Sequence, residues 1–216
     1  MSVQNPAAGP VQREAARSSE VVESRSGGIT IADPGPLGLA AFAMTTFVLS
    51  MFNADLVSRS GETITLTLAL AYGGIAQVLA GMWEFRTGNT FGAVAFTSFG
   101  AFWLSFFALV QFFAKDIPPA DAGHAIGLYL IAWGIFTTYM FVASLRTTAA
   151  IALVFLLLAA TFFVLGIGNS GAHANVIKIG GWLGIATAAA AWYASFAAVV
   201  NHTFGRTVLP TRPLQP

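Results

Sequence analysis

Residues 72–104 read YGGIAQVLAGMWEFRTGNTFGAVAFTSFGAFWL. The stretch is apolar enough to cross a membrane twice, with the turn-forming run Arg86-Thr87-Gly88-Asn89 between the crossings. Yet it carries Gln77, Glu84, Arg86, Asn89 and Thr90. An amide without partners in hydrocarbon costs on the order of several kcal/mol, so Gln77 is expected to face other helices or water rather than lipid. Two helices, one short turn and a polar group held at depth outline a conduction pathway.

The composition of the whole chain agrees. Of 216 residues, 56% are hydrophobic and 9% charged, against about 25% charged in an ordinary soluble domain. The chain therefore belongs with the polytopic membrane proteins. A net charge of +1 offers no basic face for nucleic acid. The absence of cysteine removes disulfides, thiolate metal sites and cysteine nucleophiles. In residues 1–30, Arg13, Glu14, Arg17, Glu20, Glu23 and Arg25 are scattered among Ala, Ser and Pro, with no apolar signal-peptide core. Residues 1–32 are expected to form a disordered cytoplasmic tail.

Six apolar stretches follow, each near the length of a spanning helix: about 36–55, 63–84, 90–113, 122–145, 148–168 and 176–201. The expected fold is an all-α polytopic membrane protein, six transmembrane helices in one bundle over residues 33–205, with a short tail at 206–216. Basic residues set the orientation. One side collects Arg13, Arg17, Arg25, Arg86, Arg146, Arg206 and Arg212, and the other only Arg59, Lys115 and Lys178. Both termini are therefore expected in the cytoplasm.

The first span opens on Asp33-Pro34-Gly35-Pro36-Leu37-Gly38-Leu39, where Asp33 is placed to cap a helix whose early positions hold proline. Such a terminus is equally a plain helix start or a resting place for an anion. Gly73, Gln77 and Gly81 recur every four residues and are expected on one face, where small residues let helices approach closely; Gly180, Gly184 and Ala188 repeat the pattern. Close packing accounts for the glycines but not for the amide between them. Glu84 is expected at the cytoplasmic interface, paired with Arg86, rather than in direct proton coupling. Phe96, Phe99 and Trp103 form a stripe that periodicity alone reads as packing or lipid contact ahead of a gate. His124, His173 and His202 have no ligand partners at metal-binding spacing, and no nucleophile, Walker or Rossmann pattern occurs, so neither an enzyme nor a cofactor is expected.

The segments ADPGPLGL (32–39), YGGIAQVLAG (72–81), GNTFGAVAFTSFGAFWL (88–104), LYLIAWGIFT (128–137) and FGRTVLP (204–210) resemble the acetate uptake transporter family, the YaaH-type or succinate–acetate permeases. The resemblance runs from about Asp33 to Pro210. It implies a six-helix protomer assembled as a homohexamer, each protomer passing acetate, other short carboxylates and possible wider cargo such as succinate. Such transport is proton-linked or channel-like. It also implies an apolar constriction at Phe42, Phe99 and Leu158, with phenylalanine at 99 where the family carries tyrosine. Gln77 and Trp103 fall on motif positions suited to donating N–H groups to a carboxylate, and Ala191 on a small pathway-lining position. The family's helix-opening asparagine stands here as Asp33, which keeps the cap and adds a negative charge. Compact size and short loops point to a multi-pass protein of a bacterial cytoplasmic membrane. The alternative function is a channel for a small neutral solute such as urea or ammonia. A third is a regulatory membrane protein acting through its N-terminal tail.

Overall fold

The computed structural model describes residues 31–214. The expected tail over residues 1–32 lies almost wholly outside that range. Among the described residues, six helices are long and apolar enough to span a membrane: α1 (Gly35–Asn53), α2 (Ile64–Thr87), α3 (Thr90–Asp116), α4 (Pro119–Ser144), α5 (Ala149–Ser170) and α6 (Ala174–Phe204). Their ends fall within three residues of those expected from the sequence, and the protein is all-α and multi-pass.

Local chemistry explains most boundaries. Gly88 adopts the left-handed conformation (φ 80°) that closes α2, and the Asn89 side chain accepts from Gly92 N at 3.1 Å to start α3. Two residues, Gly88 and Asn89, thus reverse the chain between two spans. Prolines fill the first positions of α4, which begins at Pro119, three residues earlier than hydropathy alone suggests. At the start of α1, Asp33 Oδ1 accepts from Gly35 N at 2.8 Å, although Pro34 is the residue at the helix boundary.

Glycines set the helix crossings. A side chain at Gly100 would meet Val78 N at 2.8 Å, and one at Gly81 would meet the Thr97 backbone, so α2 and α3 touch main chain to main chain. Gly181 lies on the backbone of Asn53 and Ala54, which brings α6 against the end of α1, and Gly127 lies against Gly166 O where α4 crosses α5. The expected single face of Gly73, Gln77 and Gly81 does not form. Gly73 lies against Thr45 of α1, whereas Gly81 lies against Thr97 of α3. A π-helical turn, Ala71–Ala76, also lies in this part of α2.

The segment after α6 folds back. Asn201 accepts from Val208 N and Leu209 N at 2.7 and 2.9 Å and donates to Leu209 O, and Tyr193 donates to Pro210 O. Ala149 N and Ala150 N then donate to the carbonyls of Arg212 and Thr211. These are N–H groups that a helix start leaves without intrahelical partners. The C-terminal segment therefore caps α5 together with Thr148, whose Oγ1 accepts from Ile151 N at 3.3 Å.

At the opposite end, Lys178 Nζ lies 2.6 Å from Asp55 Oδ2, on the surface. The bonded ammonium holds the Asp55 carboxyl below its ordinary pKa. Its stabilisation is complete above the ordinary carboxylate value and disappears as pH falls through the lowered one. Asp55→Asn should therefore lower the thermal midpoint slightly at neutral pH, as expected of an exposed pair, and not at all in strong acid. Asparagine tolerates the left-handed backbone found there (φ 60°), which isolates the charge effect. A wild-type-to-variant difference that persists in acid would mean the pair is not its source.

Candidate functional site

The odd-numbered helices run in one direction through the bundle, and each brings one large apolar side chain to a similar depth. Phe42, Phe99 and Leu158 lie about 10–14 Å along α1, α3 and α5 from their starts. All three are at least 96% buried. The Phe42 and Phe99 rings are 5.7 Å apart, and Phe99 also touches Trp133, Phe136, Phe155 and Phe162. Phe99 is thus the centre of an aromatic cluster drawn from α1, α3, α4 and α5, with no polar atom among these rings except the Trp133 indole.

From this level a cavity of about 320 Å³ extends toward the end of the bundle opposite the described termini. Phe42 and Leu158 line its inner end, with Trp103, Thr46, Thr161 and Phe162 one turn further out. Asn53, Arg59, Glu62 and Asn169 stand at its mouth. Apart from the hydroxyls of Ser50 and Tyr129, its walls are otherwise apolar, so solvated charge soon meets low-dielectric surface. Two side chains in the walls have buried polar atoms without a hydrogen-bond partner, Thr46 Oγ1 and Trp103 Nε1.

On the other side of the ring, Phe91 and Phe155 pack with tilted rings 5.2 Å apart, and Ser195 of α6 donates to Pro36 O at 2.7 Å, tying the opening motif of α1 to α6. Glu84 is here, and its expected pairing with Arg86 is not what forms. Its side chain is 2% exposed, accepting from Asn89 Nδ2 at 2.9 Å and Thr87 Oγ1 at 3.2 Å, while Arg86 is exposed. Helical geometry explains this: Glu84 and Arg86 are two residues apart and point away from each other, whereas the tight Gly88 turn brings Asn89 back over the carboxylate. A side chain built at Gly35 would meet Asp33 Oδ1 at 3.0 Å and Glu84 Oε1 at 3.4 Å. Two carboxylates therefore border the N-terminus of α1. Of its first N–H groups, that of Gly35 is taken by Asp33 and Pro36 has none.

The remaining sequence candidates separate. Trp103 is in the cavity wall. Gln77 is 1% exposed with Oε1 lacking a partner, but it does not line the cavity, and neither do Phe99 or Ala191. Ala191 is fully buried in the apolar cluster that includes Phe42, Phe99 and Leu158. Of the motif, Pro34 and Gly38 are buried, Gly35 and Pro36 half-buried, and Asp33 and Leu37 exposed. Gly38 admits the Phe96 ring of α3. Among the described residues no three His, Asp or Glu side chains gather as a metal site. Thr46 escaped sequence reasoning. It stands one turn from Phe42, as Trp103 stands one turn from Phe99, but that spacing alone does not distinguish it from Thr45.

Comparison with known proteins places this geometry. A family model described as the GPR1/FUN34/yaaH family matches residues 21–215. The succinate-acetate/proton symporter SatP of Escherichia coli (strain K12) is 41% identical over 184 residues, covering 85% of this chain and 97% of the relative. A yeast relative, the ammonia transport outward protein 2 of Saccharomyces cerevisiae, is 42% identical over 176 residues, 79% of this chain and 62% of its own length. The solved structure of the bacterial acetate channel SatP superposes with a TM-score of 0.79 at 41% identity, covering 84% of this chain and 99% of that one.

Proposed function

The chain belongs to the GPR1/FUN34/yaaH family, and on that premise we propose that it carries acetate and related short-chain carboxylates across the cell membrane. Residues 33–205 form the transport domain, with both termini in the cytoplasm. The observation that carries the reading is the cavity that narrows onto Phe42 and Leu158, backed by Phe99. An apolar ring of this kind rejects a bare carboxylate, which is costly to desolvate, and admits the protonated acid far more readily. Passage of the acid carries a proton with every molecule. No relay of ionisable side chains lines the described cavity between its mouth and the ring, so the substrate itself is the proton carrier.

Labelled acetate uptake into proteoliposomes tests this. An inward proton gradient should stimulate uptake severalfold, the external medium should become more alkaline as uptake proceeds, and flux should fall as external pH rises. Uptake indifferent to the gradient would make the protein an anion channel. The name of the yeast relative favours a second reading, a pathway for ammonia or another small neutral solute such as urea. Excess ammonium or urea that abolishes acetate uptake at constant pH would favour it. A homohexamer is proposed from the family resemblance alone, since the glycines of α2 and α6 are used in contacts within the protomer; the mass of the detergent-extracted particle is the measure.

A further inference from the structure

We propose that the C-terminal segment, residues 205–214, is a releasable strap that sets the position of Leu158, with Asn201 and Tyr193 as the positioning residues that clip it down. The inference rests on the transport reading above and adds what holds one wall of the ring in place.

The strap runs from α6 to α5. Gly205, in the left-handed conformation (φ 62°), turns the chain back at the end of α6. The Asn201 side chain then takes three strap bonds, accepting from Val208 N and Leu209 N and donating to Leu209 O, and the Tyr193 hydroxyl donates to Pro210 O at 2.7 Å. Beyond Pro210 the strap changes helix. The Arg212 and Thr211 carbonyls accept from the first two N–H groups of α5, Leu214 N donates to Thr147 O at 2.9 Å, and Thr148 pairs with Pro213 as an isolated antiparallel bridge. Closing α6 needs only the Gly205 turn; the reach to a second helix is what a plain helix end leaves unexplained.

Hydrogen bonds rather than buried apolar surface hold the strap. Within it Leu209 and Thr211 are half-buried and the other residues are exposed. Segments with few buried contacts open first in a folded chain. What the strap holds is the part of α5 with the weakest attachments of its own. The glycine contacts that set α5 against α4 and α6 fall between Thr161 and Ser170, as does the Thr161–Thr187 hydroxyl pair. No described glycine approaches α5 between Ala149 and Ala160. That half packs through side chains, the kind of contact along which helices shear. It also carries Phe155 and Leu158, about 9 and 14 Å along the helix from Ala149. Phe155 packs on Phe91 and Phe99, and Leu158 lines the inner end of the cavity. Fastening the start of α5 therefore fixes its side of the ring, and releasing it lets the ring widen.

The chain has no cysteine, so introduced thiols report without background. Residues paired across an antiparallel bridge have Cα atoms about 4.5–5.5 Å apart, inside the span of about 4.4–6.8 Å that a disulfide closes. Thr148→Cys with Pro213→Cys should thus fasten the strap to α5 on oxidation, and dithiothreitol should undo the link. In proteoliposomes, butyrate uptake relative to acetate should rise severalfold in Asn201→Ala. With the cysteine pair added to Asn201→Ala, oxidation should return the ratio to the wild-type value and dithiothreitol should raise it again. A general weakening of α6 would not be reversed by a link between the strap and α5. An unchanged ratio in folded Asn201→Ala, or a raised ratio that oxidation leaves raised, overturns the proposal. Should Asn201→Ala not fold, Tyr193→Phe takes its place, because it removes one bond from a side chain that is 39% exposed. Its ratio should rise less, and no rise overturns the proposal. If the wild type takes up neither acid, the transport reading fails, and the strap is judged on the detergent-extracted protein. Val154, one turn before Leu158, is 2% exposed, so Val154→Cys should react slowly with N-ethylmaleimide. Adding Asn201→Ala, or Tyr193→Phe in its place, should speed that reaction severalfold, and equal rates overturn the strap's hold on α5.

Discussion

Gly181→Val should yield no folded protein, and even Gly181→Ala should leave a small, heat-labile fraction. Gly181 is buried where α6 meets the last turn of α1. A β-carbon there would lie 2.6 Å from the Asn53 carbonyl carbon and 2.7 Å from Ala54 Cα. Those are backbone atoms at the end of a helix, and they have no rotamer with which to move aside. Accommodation requires α1 and α6 to separate, which uncovers the neighbouring contact of Gly184 with Ser50. Overpacking a well-filled core costs about 1–3 kcal/mol where side chains can adjust, and the cost rises when only main chain can yield. The measurement is the yield of monodisperse protein after detergent extraction, with its thermal midpoint. Gly61→Ala is the matched control, because its β-carbon would meet only the Phe52 ring, at 3.6 Å. If Gly181→Ala extracts and melts like Gly61→Ala, α1 and α6 do not cross as described.

How far the sequence reveals this molecule depends on the physics behind each feature. The six spans are legible because bilayer thickness imposes a length and hydropathy that no tertiary contact can override. The turn at Gly88-Asn89 is legible because one glycine and one asparagine have few other conformational uses. The packing of α2 is not legible: nothing in YGGIAQ announces its π turn, and the i, i+4 rule assigns Gly73 and Gly81 to one partner helix where the structure uses two. The partners of Glu84 are not legible either. Its nearest charge in sequence is Arg86, but its partners are set by the reversal of the chain at Gly88. At the site, Phe42, Phe99, Trp103 and Leu158 came from family resemblance, since an aromatic stripe alone favours packing. The structure does not make Gln77 and Ala191 cavity-lining, and neither position could be resolved from sequence, because burial and exposure to a pathway look the same in a hydropathy pattern. Thr46 was missed because threonines are common in spans and usually bond their own helix; only the three-dimensional inventory of partners sets it apart.

Leu158→Ala should widen what the protein carries while leaving it folded. Leu158 is 4% exposed, but unlike a core leucine it has cavity on one side, so part of its surface makes no packing contact. Truncation should therefore cost nearer the lower end of the about 2–5 kcal/mol found for buried leucines. What it removes is the α5 wall of the ring, leaving Phe42 and Phe99 without an opposing side chain of similar size. A missing or added methylene in an apolar pocket is worth about 10- to 200-fold in discrimination, so the rate of lactate or butyrate uptake relative to acetate should rise by about tenfold or more. The wider opening also wets more easily, and wetting lowers the penalty on the anion. The fall of acetate flux with rising pH should accordingly become shallower than in the wild type. Leu158→Met, which conserves volume, should change neither ratio nor slope. Uptake of the larger acids and the pH profile report different properties of the ring, its width and its dryness, and both should move together in Leu158→Ala alone. Folded Leu158→Ala protein with unchanged selectivity and an unchanged pH profile would show that the cargo crosses the bundle elsewhere.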